Sequence, residues 1–358
     1  MDSKKTPETP GKKPFEVPLY VSPAKQAEQG QPVQLPQVEA PSLEGISVTV
    51  AAPEPFTPEE VRERFLELAR PLATERYRSP TEQVALNDEV LLNIAGYTNG
   101  RLIPFSVRTN VWLPLEPEPL LPGLYEGLVG HTPSEGVIVD ITLPGDYPVE
   151  PLRGSPARFL VHIQAAREVT YPDLESAGFL KQFGRGKTLE EATRSVVEQM
   201  KEEHAQILLL KAQQQVLNEV AARTRVQIPS ALIDEEIRRR WGASEGRSVS
   251  ELEFSDEEQE EALNGWLKDA SIRLEVEQRL RIALALGAIA RRDGLQLTPE
   301  KVREVMKNEA DAAGLTLEEV AEALRAEPQH LARIDQVAWH LLAVEHVMKR
   351  AKIHFEGA

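Results

Sequence analysis

The sequence predicts an α+β protein in which a small antiparallel β-domain with one short helix precedes a larger all-α domain. Three observations carry that reading. Between Val84 and Val169 short apolar runs alternate with turn signals, as in a β-rich domain. From Tyr171-Pro172 onward apolar residues recur at helical spacing, and hydroxyl residues stand where caps are needed. Proline is crowded at the front: 11 of the 27 prolines precede residue 60, among Gln, Glu and Lys. Such a segment buries too little apolar surface to offset the entropy of ordering it. The division that follows is a disordered Pro-rich tail over 1–42, a linker strand and helix over 43–82, the β-domain over 83–170 and the helical domain over 171–358.

The elements follow in order. Gly45 to Ala51 alternates β-branched residues and reads as a strand. Thr57-Pro58-Glu59-Glu60 then opens a helix: Thr57 is the N-cap, Pro58 fits the first helical position and Glu60 closes a capping box. Pro71 ends or kinks that helix. Strands are expected over Val90–Ile94, Val137–Leu143 and Phe159–Ile163, with a hairpin at Asn99-Gly100 and one short helix over Pro122–Val129. Thr188 with Glu191 caps a long helix reaching about Val220, and Ser230 caps the next. The charged stretch Glu251–Glu261 reads as a separator before a helix over Leu274–Arg292. Thr298-Pro299 and Thr316–Glu319 open two more, and the last helix carries Val337, Leu341, Val344 and Met348. No period of 20–50 residues repeats, which argues against a solenoid.

Composition removes several functions. The chain of 358 residues has no cysteine, so disulfide scaffolds, thiolate nucleophiles and Cys-ligated metals are excluded. Its 57 acidic against 41 basic side chains give a net charge of −16, the wrong sign for general nucleic-acid binding. No run approaches the ~18 apolar residues of a membrane span, and Met1–Phe15 has no apolar core of a secretory signal. The expectation is a cytoplasmic protein without cofactor or metal, binding neither nucleic acid nor membrane.

Two motif-like runs fail on context. Gly184-Arg185-Gly186-Lys187-Thr188 has the end of a phosphate loop, but Lys181 stands where the first glycine belongs and no strand precedes it. His340 and His346 flank Glu345 on one helix at a spacing that does not share a face, so they are not a zinc pair. No nucleophile elbow or dinucleotide fingerprint occurs, and no carboxylate is singled out for acid–base work.

The most specific run is Leu120-Leu121-Pro122-Gly123-Leu124-Tyr125-Glu126-Gly127-Leu128-Val129-Gly130-His131. It resembles the signature of FKBP-type peptidyl-prolyl isomerase domains. Leu143-Pro144-Gly145-Asp146-Tyr147 and Ala157-Arg158-Phe159-Leu160-Val161 resemble the later turn and last strand of that fold. The whole order, with Val226-Gln227-Ile228-Pro229-Ser230 to Ile237 and the final helices over Leu284–Phe355, is similar to the trigger factor family. That resemblance implies an FKBP-like head, an elongated helical chaperone body, and unfolded or nascent polypeptides as partners. The family also has a ribosome-docking domain with a G-F-R-x-G loop. Here a proline-rich segment stands in its place, and the similar letters at Phe183–Lys187 fall at the entrance to the helices. Stable ribosome binding is therefore not expected.

Prolyl isomerisation needs no acid or base. It needs a dry pocket that twists the X–Pro bond against a barrier of about 18–20 kcal/mol. The resemblance places Leu124 at the platform ring, Ile94 at the first-strand aromatic and Ile103 at a third aromatic position, with Pro104 where an acid is usual. Tyr147 and Phe159 keep their aromatic character, and Leu121 is the pocket-lining aliphatic. Three aliphatic replacements imply a peptide groove with weakened or lost isomerase activity, on a chaperone that holds non-native chains without ATP. The alternative is an active prolyl isomerase acting on unfolded chains. Candidates for exposed client-binding side chains are Leu208, Leu209, Trp266, Leu267, Leu324 and Trp339.

Overall fold

The structure, a computed structural model, describes residues 35–52, 54–116, 121–147, 149–326 and 328–356. The chain divides into two compact units, each assembled from separate stretches. One unites residues 53–206 with 234–274, and the other unites 1–52, 207–233 and 275–358.

The first unit is built on a six-stranded antiparallel sheet: β2 (Thr74–Tyr77), β3 (Glu89–Thr98), β4 (Arg101–Leu102), β5 (Arg108–Pro114), β6 (Gly136–Thr142) and β7 (Pro156–Thr170). β7 is the spine, pairing with β3 on one side and with β6 and β2 on the other. β3 also carries β4 and β5. The Asn99-Gly100 hairpin forms as expected, with φ of 50° and 75°, the left-handed pair that a two-residue turn requires. Alternation sends Val90, Leu92 and Ile94 of β3, and Phe159, Val161 and Ile163 of β7, into one buried cluster with Leu124 and Leu128. The short helix expected over Pro122–Val129 is a set of turns ending in one 3-10 turn, Glu126–Leu128.

Helix α1 (Pro58–Ala69) starts with the expected capping box: Thr57 N–H donates to Glu60 at 2.7 Å, and Glu60 N–H donates to Thr57 Oγ1 at 3.2 Å. It runs directly into a 3-10 turn, Arg70–Leu72, that contains Pro71. Phe65 and Ala69 pack on Phe179 and Leu180 of α2 (Ala177–Phe183) and on Val196 and Met200 of α3 (Leu189–Ala222). Arg70 and Arg167 both donate to Glu89 at 2.7 Å, and Arg167 lies 4.0 Å over the Trp112 ring. This network ties the end of α1 to β3, β5 and β7.

In the second unit β1 (Ser47–Val50) pairs in parallel with β8 (Lys352–Phe355). Their inner side chains join Val216 and Val220 of α3, Ile289 of α7 (Ala270–Arg292) and Val347 of α10 (Pro328–Met348). A second cluster joins Val305 of α8 (Pro299–Ala313), Val320 of α9 (Leu317–Ala326) and Val337 of α10.

Two sequence expectations need correction. Phe355 does not end a helix: Lys352–Phe355 is a strand. The charged stretch is mostly helical, with α5 (Glu245–Glu251) and α6 (Asp256–Lys268). Ser255 caps α6 through a capping box with Glu258, and the acids that follow sit where a helix N-terminus favours them. Strand β1 lies in one unit and α1 in the other. Of the tail expected as disordered, residues 1–34 lie outside the described residues. Its end is held in place: Arg292 donates to the Pro41 carbonyl at 2.8 Å, and Ala40 packs on the second unit's core.

Asp88 is the sheet's main buried charge, 2% exposed, accepting from Arg78 through both carboxylate oxygens and from Ala85 N–H at 2.7 Å. Asp88→Ala strands a largely buried guanidinium and should cost about 3 kcal/mol. The shift of the urea midpoint for loss of β-structure measures it, and Asp88→Asn should recover part of the loss.

Candidate functional site

The structure brings the six residues named from the sequence into one cluster. Ile94 comes from β3, Ile103 follows β4, and Leu121 and Leu124 flank a turn in which Leu124 N–H donates to Leu121 O at 3.0 Å. Tyr147 sits in the β6–β7 connection, where Arg153 donates to its carbonyl at 2.8 Å. Phe159 is on β7, opposite Gly96 of β3. A Cβ at Gly96 would stand 2.6 Å from the Phe159 ring, so glycine is what lets the ring lie against the β3 backbone. Ile103 is fixed twice: its N–H donates to Gly96 O at 2.8 Å, and its carbonyl accepts from Ser106 Oγ at 2.6 Å.

The cluster is closed. Ile103 and Leu124 are fully buried, while Phe159 and Ile94 expose 2% and 6%. Tyr147 and Leu121 are partly buried at the edge of the cluster. Two open cavities in this unit lie elsewhere. One is lined by Tyr97, Asp140, Arg158 and Leu160, the other by Arg70, Glu89, Trp112 and Arg167.

The loop 103–107 beside the cluster meets α5 and α6. Glu245, at the start of α5, is 6% exposed; its carboxylate accepts from Trp266 Nε1–H at 2.6 Å and from Val107 N–H at 3.3 Å. Burial pushes its pKa up, against the opposing pull of Trp266, of the Phe105 and Val107 backbone, and of the Arg108 charge. Burial likewise raises Tyr147, with a further push from the Glu245 charge, so the two side chains are electrostatic neighbours.

Sequence reasoning missed Glu245, one acid among many. It also took Trp266 for an exposed contact, whereas Trp266 is buried with its N–H spent on that carboxylate. The available signal was the spacing of Trp241, Val249 and Phe254 through the charged region, which now pack with Ala95 and Leu102 of the sheet. Gly184 to Thr188 leads into α3, where Glu191 N–H donates to Thr188 Oγ1 at 3.2 Å, a cap and not a phosphate cradle. His346 contacts Asp293 at 2.6 Å, and among the described residues no group of three or more His, Asp and Glu is placed to hold a metal ion. No helix among them is long and apolar enough to cross a membrane.

The cluster in the β-domain is closed and largely aliphatic, and α3 carries Ile207, Leu209 and Leu210 turned to solvent. Residues 188–349 match the family model described as the C-terminus of bacterial trigger factor protein. Trigger factor of Glaesserella parasuis serovar 5 (strain SH0165) is 25% identical over 318 residues, covering 89% of this chain and 70% of that protein. Trigger factor of Haemophilus ducreyi (strain 35000HP / ATCC 700724) is 25% identical over 319 residues with the same coverage. A solved structure described as "Promiscuous Substrate Recognition in Folding and Assembly Activities of the Trigger Factor Chaperone" is 15% identical, covers 88% of this chain and 73% of its own, and has a TM-score of 0.33. Residues 188–349 thus carry the trigger factor C-terminal domain, the chain is similar to trigger factors over most of its length, and these matches support a chaperone role in protein folding.

The raised pKa of Glu245 gives its contact a pH dependence. Its folded value lies above the ordinary 4.5, so its contribution is fully present below that value and is lost as pH rises through the folded pKa. The protection factor of the Val107 amide should therefore increase as pH is lowered through the raised folded pKa toward the ordinary 4.5. Glu245→Gln should flatten the dependence.

Proposed function

We propose that this chaperone holds non-native polypeptides on apolar helix surface, and that its β-domain, about residues 83–170, is an FKBP-like head that binds peptide with little or no isomerase activity. The observation that carries the first part is Ile207-Leu208-Leu209-Leu210 on α3. Four consecutive apolar residues spread over roughly 300° of a helix, more than one packing face can cover. Ile207, Leu209 and Leu210 are 44%, 55% and 62% exposed. Trp339 and Leu317 add exposed apolar surface in the same unit. Of the other contacts expected from the sequence, Leu208 and Leu267 are partly exposed, while Leu324 is buried between α8, α9 and α10. Clients are unfolded or nascent segments rich in apolar residues, met in the cytoplasm.

The second part rests on the three aliphatic replacements, Ile94, Ile103 and Leu124, and on their burial. The partial exposure of Tyr147 favours the alternative of an active isomerase, because it leaves one aromatic edge of the groove within reach.

At equimolar full-length chain, light scattering of a chemically denatured client should be suppressed. Leu209→Lys with Leu210→Lys should weaken that protection by about tenfold, the loss of about 1.4 kcal/mol of apolar contact. Unchanged protection would remove the α3 surface from the account. In a protease-coupled proline-peptide assay the rate should stay close to the uncatalysed one. A rate well above it that Tyr147→Ala abolishes would establish the isomerase instead.

A further inference from the structure

The face of the head beside Ile103 is occupied by the chain's own α5 and α6. Pro104 packs so closely on α6 that a Cβ at Gly265 would come within 3.1 Å of it. The Phe105 ring centroid lies 4.4 Å from that of Trp266. Polar contacts surround these two: Thr109 Oγ1 donates to Glu251 at 2.8 Å, and Arg101 meets Glu261 at 3.3 Å. The charge is one-sided. The head contributes Arg101 and Arg108, whereas α6 opens Asp256-Glu257-Glu258 and continues with two more acids.

The contact carries three internal costs. A carboxylate, Glu245, is buried. Trp241 Nε1–H is buried with no acceptor among the described residues. Phe105 holds φ at 66°, in the left-handed region that a bulky residue avoids. Against these costs the fully buried part of the seam is small: Ala95, Leu102 and Val107 on the head against Val249 and Ala262 on the helices. A seam that is thin, charged and strained is suited to exchange.

We propose that α5–α6 is an internal ligand of the head, an acidic helix pair that covers the loop beside Ile103, closes that side of the groove, and must be displaced before a peptide enters. The proposal rests on reading the six clustered residues as a peptide groove.

Two variants of the full chain release the helices without touching the groove. Val249→Asp with Ala262→Asp breaks the apolar seam, and Glu251→Lys with Glu261→Lys reverses charge at exposed positions. Hydrogen exchange of the Phe105 and Val107 amides, which face Glu245, reports whether the face is covered. Anisotropy of fluorescein-labelled Ala-Leu-Pro-Phe reports groove binding. The wild-type loop should be protected, both variants should deprotect it, and peptide affinity should rise by about tenfold or more, because the closed fraction no longer subtracts from binding. A wild-type loop exchanging as fast as free peptide overturns the seal. Released loops with the same finite affinity as wild type overturn the gating while leaving the groove intact. Released loops with no binding in any form remove the groove itself, and the gating falls with it.

Discussion

Gly96 lies opposite Phe159 in the ladder of β3 and β7, and a Cβ there would stand 2.6 Å from the ring. That close approach fixes much of the head. It lets β7 hold register with β3 from Leu92 to Tyr97 with a large ring turned inward, and the Gly96 carbonyl then receives the Ile103 N–H. Ser106 Oγ accepts from Gly96 N–H at 3.0 Å and donates to Ile103 O, so the loop after β4 is stapled to the same point. The loop is thereby presented to α5 and α6, and Glu245 meets Val107 and Trp266 there. One missing methyl group organises the groove, the loop and the helix contact together.

The two apolar features of the molecule are handled in opposite ways. In the head, Ile103 and Leu124 are sealed and the neighbouring loop is covered. On α3, Ile207, Leu209 and Leu210 stay in solvent, because a helix cannot bury four successive apolar residues against one neighbour. Exposed apolar groups of this kind mark interaction sites, and a strongly acidic chain can carry them without self-association. This division supports the proposed reading: the apolar side chains of α3 are exposed, and the six-residue cluster of the β-domain is closed.

Local chemistry was legible in the sequence, and distant pairing was not. Thr57 with Glu60, the stop at Pro71, and Asn99-Gly100 each encode their geometry within a few residues, and each forms as read. The candidate site was legible as a set of positions, because the strand order that gathers Ile94, Leu124 and Phe159 follows the motif order. Strand β8 left no local signal, since four residues pair in parallel with a strand near the other end of the chain. Helix α6 was hidden by its own acids, which read as a solvated linker although they are the favourable first turn of a capped helix. Glu245 was invisible for a deeper reason: its role depends on burial, and burial is supplied by Trp266 and by the loop at Val107.

Where a client touches the full-length chain tests this division most directly. A photoreactive phenylalanine analogue can be placed at Leu210 in one protein and at Tyr147 in another, and each irradiated with an unfolded client. The account predicts strong cross-linking from position 210 and little from position 147 in the resting protein. Cross-linking concentrated at 147, with 210 silent, would contradict it.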